Sequence, residues 1–363
     1  PLRGQNNVQG ASDAGLIPMV YPDYKSVEDT SIRSSYEDFW GTELNPERGL
    51  TVVEIVNAIL AGEIKTMYIL GENPAMSDPD QKHARAALAQ LEHLVVQDIF
   101  LTETAWHADV ILPAAAHAEK WGTYTNTNRQ IQMARPVVNP PGKARPDWEL
   151  VVELANRIGL GWTYQHPSQV FAEMGEVMPS LANITWDRID HEDAVTYPCD
   201  GPDQPGNEII FGDRFPTANG RAKIVAADLT PPDELPDDDY PMVLTTGRLL
   251  EHWHTGAMTR RATNLDLLEP EAIAGLNRRD IVRLGIDAGD LIKVETRRGE
   301  IVLKARLDRD VPEGMVFIPF CFAEAPANVL TNPQLDPMGK IPEFKFCAAR
   351  VTAVSAAASE AAE

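Results

Sequence analysis

The chain is poor in the residues from which most metal and disulfide sites are built. It contains only three cysteines, Cys199, Cys321 and Cys347, too few and too widely spaced for a disulfide framework or a cysteine-ligated zinc or iron–sulfur centre. They read as buried apolar thiols. The eight histidines form no H-E-x-x-H or H-x-x-x-H pair, and the glycines form neither G-x-G-x-x-G nor a Walker loop. No residue of the chain is therefore a candidate metal ligand. Positive charge is also scarce, with 32 Lys and Arg against 54 Asp and Glu and a net charge of -22. Broad nucleic-acid or membrane-surface binding needs cations clustered across a wide face, so both are disfavoured and any anion must be held locally. No apolar run approaches the roughly 18 residues of a membrane span, and no signal-peptide pattern opens the chain. The expectation is a cytoplasmic protein with no membrane span.

Apolar residues make up 44% of the 363 residues, enough for a large core and a length that suggests two or three domains. The opening Pro1-Leu2-Arg3-Gly4-Gln5-Asn6-Asn7-Val8-Gln9-Gly10 has no initiator Met and reads as an interior loop, because its amide side chains and glycines favour turns. A piece of something longer is expected. From residue 51, Val52, Val53, Ile55, Val56, Ile59 and Leu60 recur at helical spacing up to Gly62. A short strand 67–70, the turn Gly71-Glu72-Asn73-Pro74 and a second helix opened by Asp78-Pro79 follow. Leu94-Val95-Val96 is a buried-strand run, succeeded by a helical turn with Thr102 and Thr104 and a strand Val110-Ile111-Leu112. This alternation predicts a doubly wound, mostly parallel α/β sheet, whose ligand crevice lies beyond the carboxyl ends of its strands. Asn73, Gln97 and Asp98 fall there.

Asp98 has two readings: a cap for the turn after its strand, or a carboxylate that accepts the paired N–H edge of guanine. Asp147 has the same two, standing before the helical face Trp148, Val151, Val152, Leu154, Ala155 and Ile158. Between them the residues 119–129 read as a polar loop in which Lys120, hydroxyls and aromatics suit a phosphate or sugar site, or an ordinary surface turn. Residues 198–236 are rich in Pro, Asp and Gly and read as an irregular connection. Beyond residue 237 short strands dominate (242–246, 291–296, 301–307, 315–320), interrupted by a helix 277–284, which predicts a compact β-barrel. Residues 354–363 read as a flexible tail.

The densest feature is the run 245–261. Thr246, Gly247, Arg248, Leu249, Leu250, Glu251, His252, Trp253, His254 and Thr255 are followed by Gly256, Arg260 and Arg261, so that hydrogen-bond donors surround two glycines in an acidic protein. Such a run suits a large anion, with a flat indole for a heterocycle, or a solvated basic turn.

Together, Arg3-Gly4-Gln5-Asn6-Asn7-Val8-Gln9-Gly10, Ile69-Leu70-Gly71-Glu72-Asn73-Pro74, Gln97-Asp98-Ile99-Phe100-Leu101-Thr102-Glu103-Thr104, Ala108-Asp109-Val110-Ile111-Leu112-Pro113, the 245–261 run and the closing Ile341-Pro342-Glu343-Phe344-Lys345-Phe346-Cys347 resemble, in order, the carboxyl-terminal part of the catalytic subunit of molybdopterin-dependent formate dehydrogenases. These belong to the molybdopterin oxidoreductase (DMSO reductase) family. The resemblance implies a bis(molybdopterin guanine dinucleotide) cofactor with molybdenum or tungsten, held by an α/β domain and a carboxyl-terminal six-stranded double-psi β-barrel. Its domain plan places residues 1–50 in a cofactor-binding α/β region continuing upstream, 51–197 in the α/β dinucleotide region, and 237–353 in the barrel.

By motif match, the resemblance implies cofactor contacts from Gln5, Asn73, Gln97, Asp98, Thr102, Lys120 and Asp147, from the 246–255 run, and from Phe320, Asn328 and Lys345. Arg3 is implied to orient formate, a carboxylate that one guanidinium can grip bidentately, as it is oxidised to carbon dioxide. The implied partners are the rest of the catalytic subunit and flavin- and iron–sulfur-containing subunits that reduce NAD, with iron–sulfur clusters in the upstream part or the partners. Two other assignments share the cofactor fold: a periplasmic-type nitrate reductase, which the 246–261 run also resembles but which lacks Arg-Gly-Gln-Asn-Asn, and a non-catalytic subunit of a respiratory complex.

Overall fold

The computed structural model describes residues 5–337 and 340–354. Arg3, the expected substrate residue, and the expected tail from residue 355 lie outside the described residues. In chain order the helices and strands are α1 Val8–Asp13, β1 Val20–Tyr21, β2 Lys25–Ser26, α2 Thr30–Trp40, α3 Val52–Leu60, β3 Thr66–Leu70, α4 Pro74–Ser77, α5 Gln81–Gln90, β4 His93–Asp98, β5 Val110–Pro113, β6 Gly122–Thr125 and β7 Gln130–Ala134. They continue as α6 Asp147–Arg157, α7 Pro167–Val177, α8 Trp186–Glu192, β8 Ala194–Thr196, β9 Met242–Gly247, α9 Thr263–Leu268, β10 Ile273–Leu276, α10 Arg278–Leu284, β11 Leu291–Glu295, β12 Glu300–Leu307, β13 Met315–Pro319 and β14 Cys347–Ala353.

Two compact units result. One gathers the described residues up to Thr51 with Pro113–Ala227, and the other gathers Val52–Leu112 with the described residues from Asp228 onward. This division runs through the 51–197 region inferred from the resemblance: its first part groups with the barrel chain, the remainder with the amino-terminal segment.

In the barrel-containing unit, β3 and β4 pair in parallel with Ile69 opposite Val96, and β5 completes a three-stranded sheet. The apolar run in each strand is its reason for being buried: Ile69, Leu94 and Val96 form a core with Ala75, Leu88 and Ala105. Helix α3 packs on α5, and after α3 the chain turns at Gly62, whose φ of 77° is a left-handed conformation that costs glycine little. Strands β10-β12-β11-β14-β9-β13 close into a six-stranded barrel. β9 pairs in parallel with β13 and β10 with β12, while the remaining neighbours are antiparallel. Alternation fills it, since Ile292 and Val294, Ile301 and Leu303, and Val316 and Ile318 all point into the buried cluster, each such side chain worth about 1.5–3 kcal/mol relative to exposure. The α/β class with a parallel sheet and a six-stranded barrel is thus the observed fold. Strands β10 and β14 are additions to the strands visible in the sequence.

In the other unit, β6, β7 and β8 form an antiparallel sheet, covered by a core of Ile131, Phe171, Met178, Leu181, Ile189 and Val195. Here the expected polar loop 119–129 is corrected. Gly122–Thr125 is a strand, because Thr123, Tyr124 and Thr125 favour the pleated conformation, and loop remains only at Lys120 and Trp121 before it and in the turn beyond it. Asp147 is likewise not a cap. It is the first residue of α6, the cap position is Pro146, and no side chain caps that end. No helix or strand lies between Thr196 and Met242. Among the described residues no helix is long and apolar enough to cross a membrane.

Candidate functional site

At the carboxyl ends of β3 and β4, Asn73 and Gln97 are buried. Asn73 Oδ1 accepts from the Thr104 amide at 3.1 Å and the Thr104 hydroxyl at 2.7 Å, and its Nδ2 donates to Glu103 at 2.8 Å. The Thr104 hydroxyl oxygen accepts in turn from the Ala75 amide at 3.0 Å, so the start of α4 is tied to the turn after β4. Thr102, also buried, accepts from the Ala105 amide at 3.3 Å. Gln97 Oε1 accepts from the Tyr68 hydroxyl on the neighbouring strand. Asp98 stands at the last position of β4 and accepts from the Ile99 amide at 2.7 Å. The N-cap position of the short helix that follows is Thr104, six residues further on, and its side chain makes no cap hydrogen bond. Beside this crest Asp78 is buried, its Oδ2 has no hydrogen-bond partner, and burial, offset by the Ser77 hydroxyl and reinforced by Glu72, raises its carboxyl to about 7.

The second cluster lies where β9 leaves the barrel. Lys345 Nζ donates to the Thr246 carbonyl at 2.7 Å, and the Thr246 hydroxyl donates to the Phe344 carbonyl at 2.8 Å, which brings the closing motif against the run. Phe320 is the hub. The Arg248 guanidinium lies 5.8 Å and the Lys345 ammonium 5.5 Å from its ring centre, and the His254 ring meets it edge-on at 5.3 Å. Arg248 also stacks 4.9 Å from the Trp253 ring. Burial and then the charges of Arg248 and Lys345 hold the His254 imidazole below its usual value, while lost hydration and then Arg248 do the same to Lys345. Among the described residues neither of the two cations, Arg248 and Lys345, has a carboxylate partner, and His254 between them is held toward its neutral form, although acids far outnumber bases in the chain. Like charges gathered without counter-charge are costly unless an anion joins them.

The rest of the run is divided. His252 is fully buried, its Nε2 lies 2.7 Å from the Glu269 carbonyl, and its Nδ1 has no partner. Donation from Nε2 leaves Nδ1 as an acceptor awaiting a donor. Thr255 is buried, Leu249 packs against the barrel core, and Leu250 is 97% exposed. Gly247 and Gly256 admit no side chain without displacement, since a Cβ on Gly256 would lie 2.6 Å from the Cys321 carbonyl oxygen. Arg260 and Arg261, part of the same basic run in the sequence, are already occupied. Arg260 pairs with Asp266 at 2.5 Å and Glu324 at 2.9 Å, and Arg261 donates to the carbonyls of Ala257 and Leu101. Asn328 is buried against α4 and donates to Met76 and Ser77.

In the other unit the structure brings Lys120 and Asp147 together as an ion pair, with Lys120 also donating to the Ala115 carbonyl at 2.8 Å. Burial and then Asp147 raise the nearby Tyr124 phenol. Gln5 is half-buried in the loop before α1, and the following Asn7 anchors that loop by accepting from the Thr125 amide at 2.9 Å. Tyr68, Glu103 and Thr104 contact the candidate residues, and Asp78 lies buried beside them; none of the four is singled out by its sequence pattern as a site residue. Only the position of Thr104 two residues after Thr102 gave a signal.

Residues 3–157 match the family model described as Molybdopterin oxidoreductase, and residues 242–348 match the model described as Molydopterin dinucleotide binding domain. The chain is 49% identical over 353 residues to the F420-dependent formate dehydrogenase subunit alpha of Methanocaldococcus jannaschii, covering 97% of this chain and 52% of that protein. It is 34% identical over 359 residues to formate dehydrogenase H of Escherichia coli, covering 98% of this chain and 50% of that one. It therefore spans about half the length of the curated relatives it matches. The solved structure of acetylene hydratase from Pelobacter acetylenicus shares the fold, with a TM-score of 0.67 at 19% identity over 95% of this chain and 53% of that one. With both models matched in order and relatives aligned along nearly its whole length, the chain belongs to the molybdopterin oxidoreductase family.

Proposed function

We propose that the chain is the portion of a formate dehydrogenase catalytic subunit that grips a bis(molybdopterin guanine dinucleotide) cofactor carrying molybdenum or tungsten. The observation that carries this reading is the cluster of Arg248, His254 and Lys345 around Phe320, without a carboxylate partner among the described residues. The residues fit the group: the uncompensated cations Arg248 and Lys345 suit pyrophosphate, and the orphaned His252 Nδ1 suits a ligand N–H or O–H. Asp98 is the candidate for guanine at the sheet end, with Gln97 and Asn73 shaping that crest. Lys120 and Asp147 are the candidates for a second recognition point, and Arg3 for formate.

When bound, the cofactor supplies a metal centre that accepts the two electrons released as formate becomes carbon dioxide. The protein's share is to neutralise the cofactor's phosphates and to orient a small carboxylate. Iron–sulfur centres and partner subunits would carry the electrons onward. NAD is the acceptor implied by the family resemblance, while relatives named F420-dependent make F420 its direct competitor. The cytoplasm is the proposed location.

The test is formate-dependent dye reduction by the complete enzyme, followed by NAD and F420 reduction, with nitrate consumption measured in parallel. Formate oxidation is expected. Nitrate turnover without formate oxidation would transfer the chain to the nitrate reductase reading, and purified material lacking pterin and metal would transfer it to the non-catalytic one.

A further inference from the structure

Helix α4 is only four residues long, far too short to hold its own shape by cooperative hydrogen bonding. It is pinned at both ends. At its start, the buried Asn73–Thr104 contacts hold it to the turn after β4. At its finish, Asn328 Nδ2 donates to the Met76 carbonyl at 3.0 Å and to the Ser77 carbonyl at 2.8 Å. Asn328 comes from the turn Ala327–Val329 on the barrel side of the same unit and is 4% exposed. A helix end presents carbonyls with no partner of their own, and this amide satisfies two of them. Both of its hydrogens are then consumed, because a side-chain amide has only two.

We propose that Asn328 is a positioning residue that fixes α4, and with it the loop carrying Asn73 and Asp78, and that it donates no hydrogen bond to a cofactor. Only Oδ1, an acceptor, is left to face a ligand. The part of this inference that concerns the cofactor rests on the function proposed above, while the anchoring of α4 stands without it. A side chain that merely contacted the cofactor would leave α4 indifferent to its replacement. One that merely filled space would tolerate the near-isosteric Asn328→Leu and reject the longer Asn328→Gln. A donor to two carbonyls reverses that order.

The experiment is hydrogen exchange followed by mass spectrometry on the full chain, produced with and without molybdopterin synthesis, for the wild type, Asn328→Leu and Asn328→Gln. In the cofactor-free protein the amides of residues 75–78 are expected to exchange on the order of tenfold faster in the Leu variant, the effect of about 1.4 kcal/mol, with most of the protection restored in the Gln variant. In the loaded protein the Leu variant should lose cofactor several-fold faster than the Gln variant. Unchanged exchange in the cofactor-free Leu variant, or equal behaviour of Leu and Gln, would overturn the assignment. If Leu also strips protection from β9 and β13, the smaller Asn328→Ser, with one donor left, replaces it and should fall between wild type and full loss. A complete enzyme that never takes up cofactor would refute the proposed function, yet the cofactor-free comparison would still decide this inference.

Discussion

Replacing Asp78 by Asn should stabilise the protein at alkaline pH and do so progressively less as the solution is acidified. Asp78 is 7% exposed, its Oδ2 lacks a partner, and burial raises its carboxyl from an ordinary 3.8 to about 7. A carboxyl whose folded value is raised binds its proton more tightly in the native state. The native state therefore bears no penalty below the unfolded value, and the penalty grows as pH rises through the window from 3.8 to about 7. At about 1.36 kcal/mol for each pH unit in that window, ionisation costs roughly 4 kcal/mol at pH 8 and roughly 1.5 kcal/mol at pH 5. Asn cannot ionise, but its buried amide group needs an acceptor and loses about 1–3 kcal/mol without one. The net gain at pH 8 is thus smaller than 4 kcal/mol, whereas the swing between the two pH values, about 2.5–3 kcal/mol, is independent of that loss. Thermal melts of wild type and Asp78→Asn at pH 5 and 8 measure it, the swing amounting to roughly 5–10 °C in the melting of the barrel-containing unit. A melting difference that does not change with pH would refute the argument.

Two further outcomes follow from the barrel-side cluster. Arg248→Met removes a neighbouring cation, so the His254 imidazole should titrate at a higher pH by nuclear magnetic resonance, moving toward its usual value while burial still holds it below. In the wild type this depressed value means that the stability His254 confers is present above its ordinary pKa and lost as pH falls, since the unfolded chain binds the proton more readily; an unchanged titration would contradict the geometry. Gly256→Ala places a methyl at a φ of 74° and 2.6 Å from the Cys321 carbonyl oxygen, which should cost about 1–3 kcal/mol of stability and lower cofactor content, read by denaturation and by metal analysis. Full stability in that variant would show that the loop yields freely.

What could be read in advance depended on how local the cause was. Helix α3 is periodic in its own residues, and β4 is built on the apolar run Leu94-Val95-Val96, so both stand out in the sequence. Strands β10 and β14 do not. Ile273–Leu276 is four residues with a central glycine, and Cys347–Ala353 is mostly small residues. They become strands because β12 and β9 offer edges to pair with, and that cause lies at a distance in the chain. The hairpin of β6 and β7 was hidden differently, since Thr and Asn suit both turns and strands until a neighbouring strand chooses between them.

The site divides along the same line. Residue type was enough to single out the 245–261 run, because donors and glycines concentrated in an acidic chain are unusual wherever they fold. It could not tell which cations remain available. Arg248, Arg260 and Arg261 are alike in sequence, yet Glu324, 64 positions away, helps occupy Arg260, and the Leu101 carbonyl, 160 positions away, helps occupy Arg261. Arg248 is left to Trp253 and Phe320, which offer a guanidinium no counter-charge. The capacity to bind an anion therefore lies less in how many basic residues the run contains than in which of them the distant parts of the fold leave uncompensated, and the same reasoning turns Asn328 from a ligand donor into the anchor of a neighbouring helix.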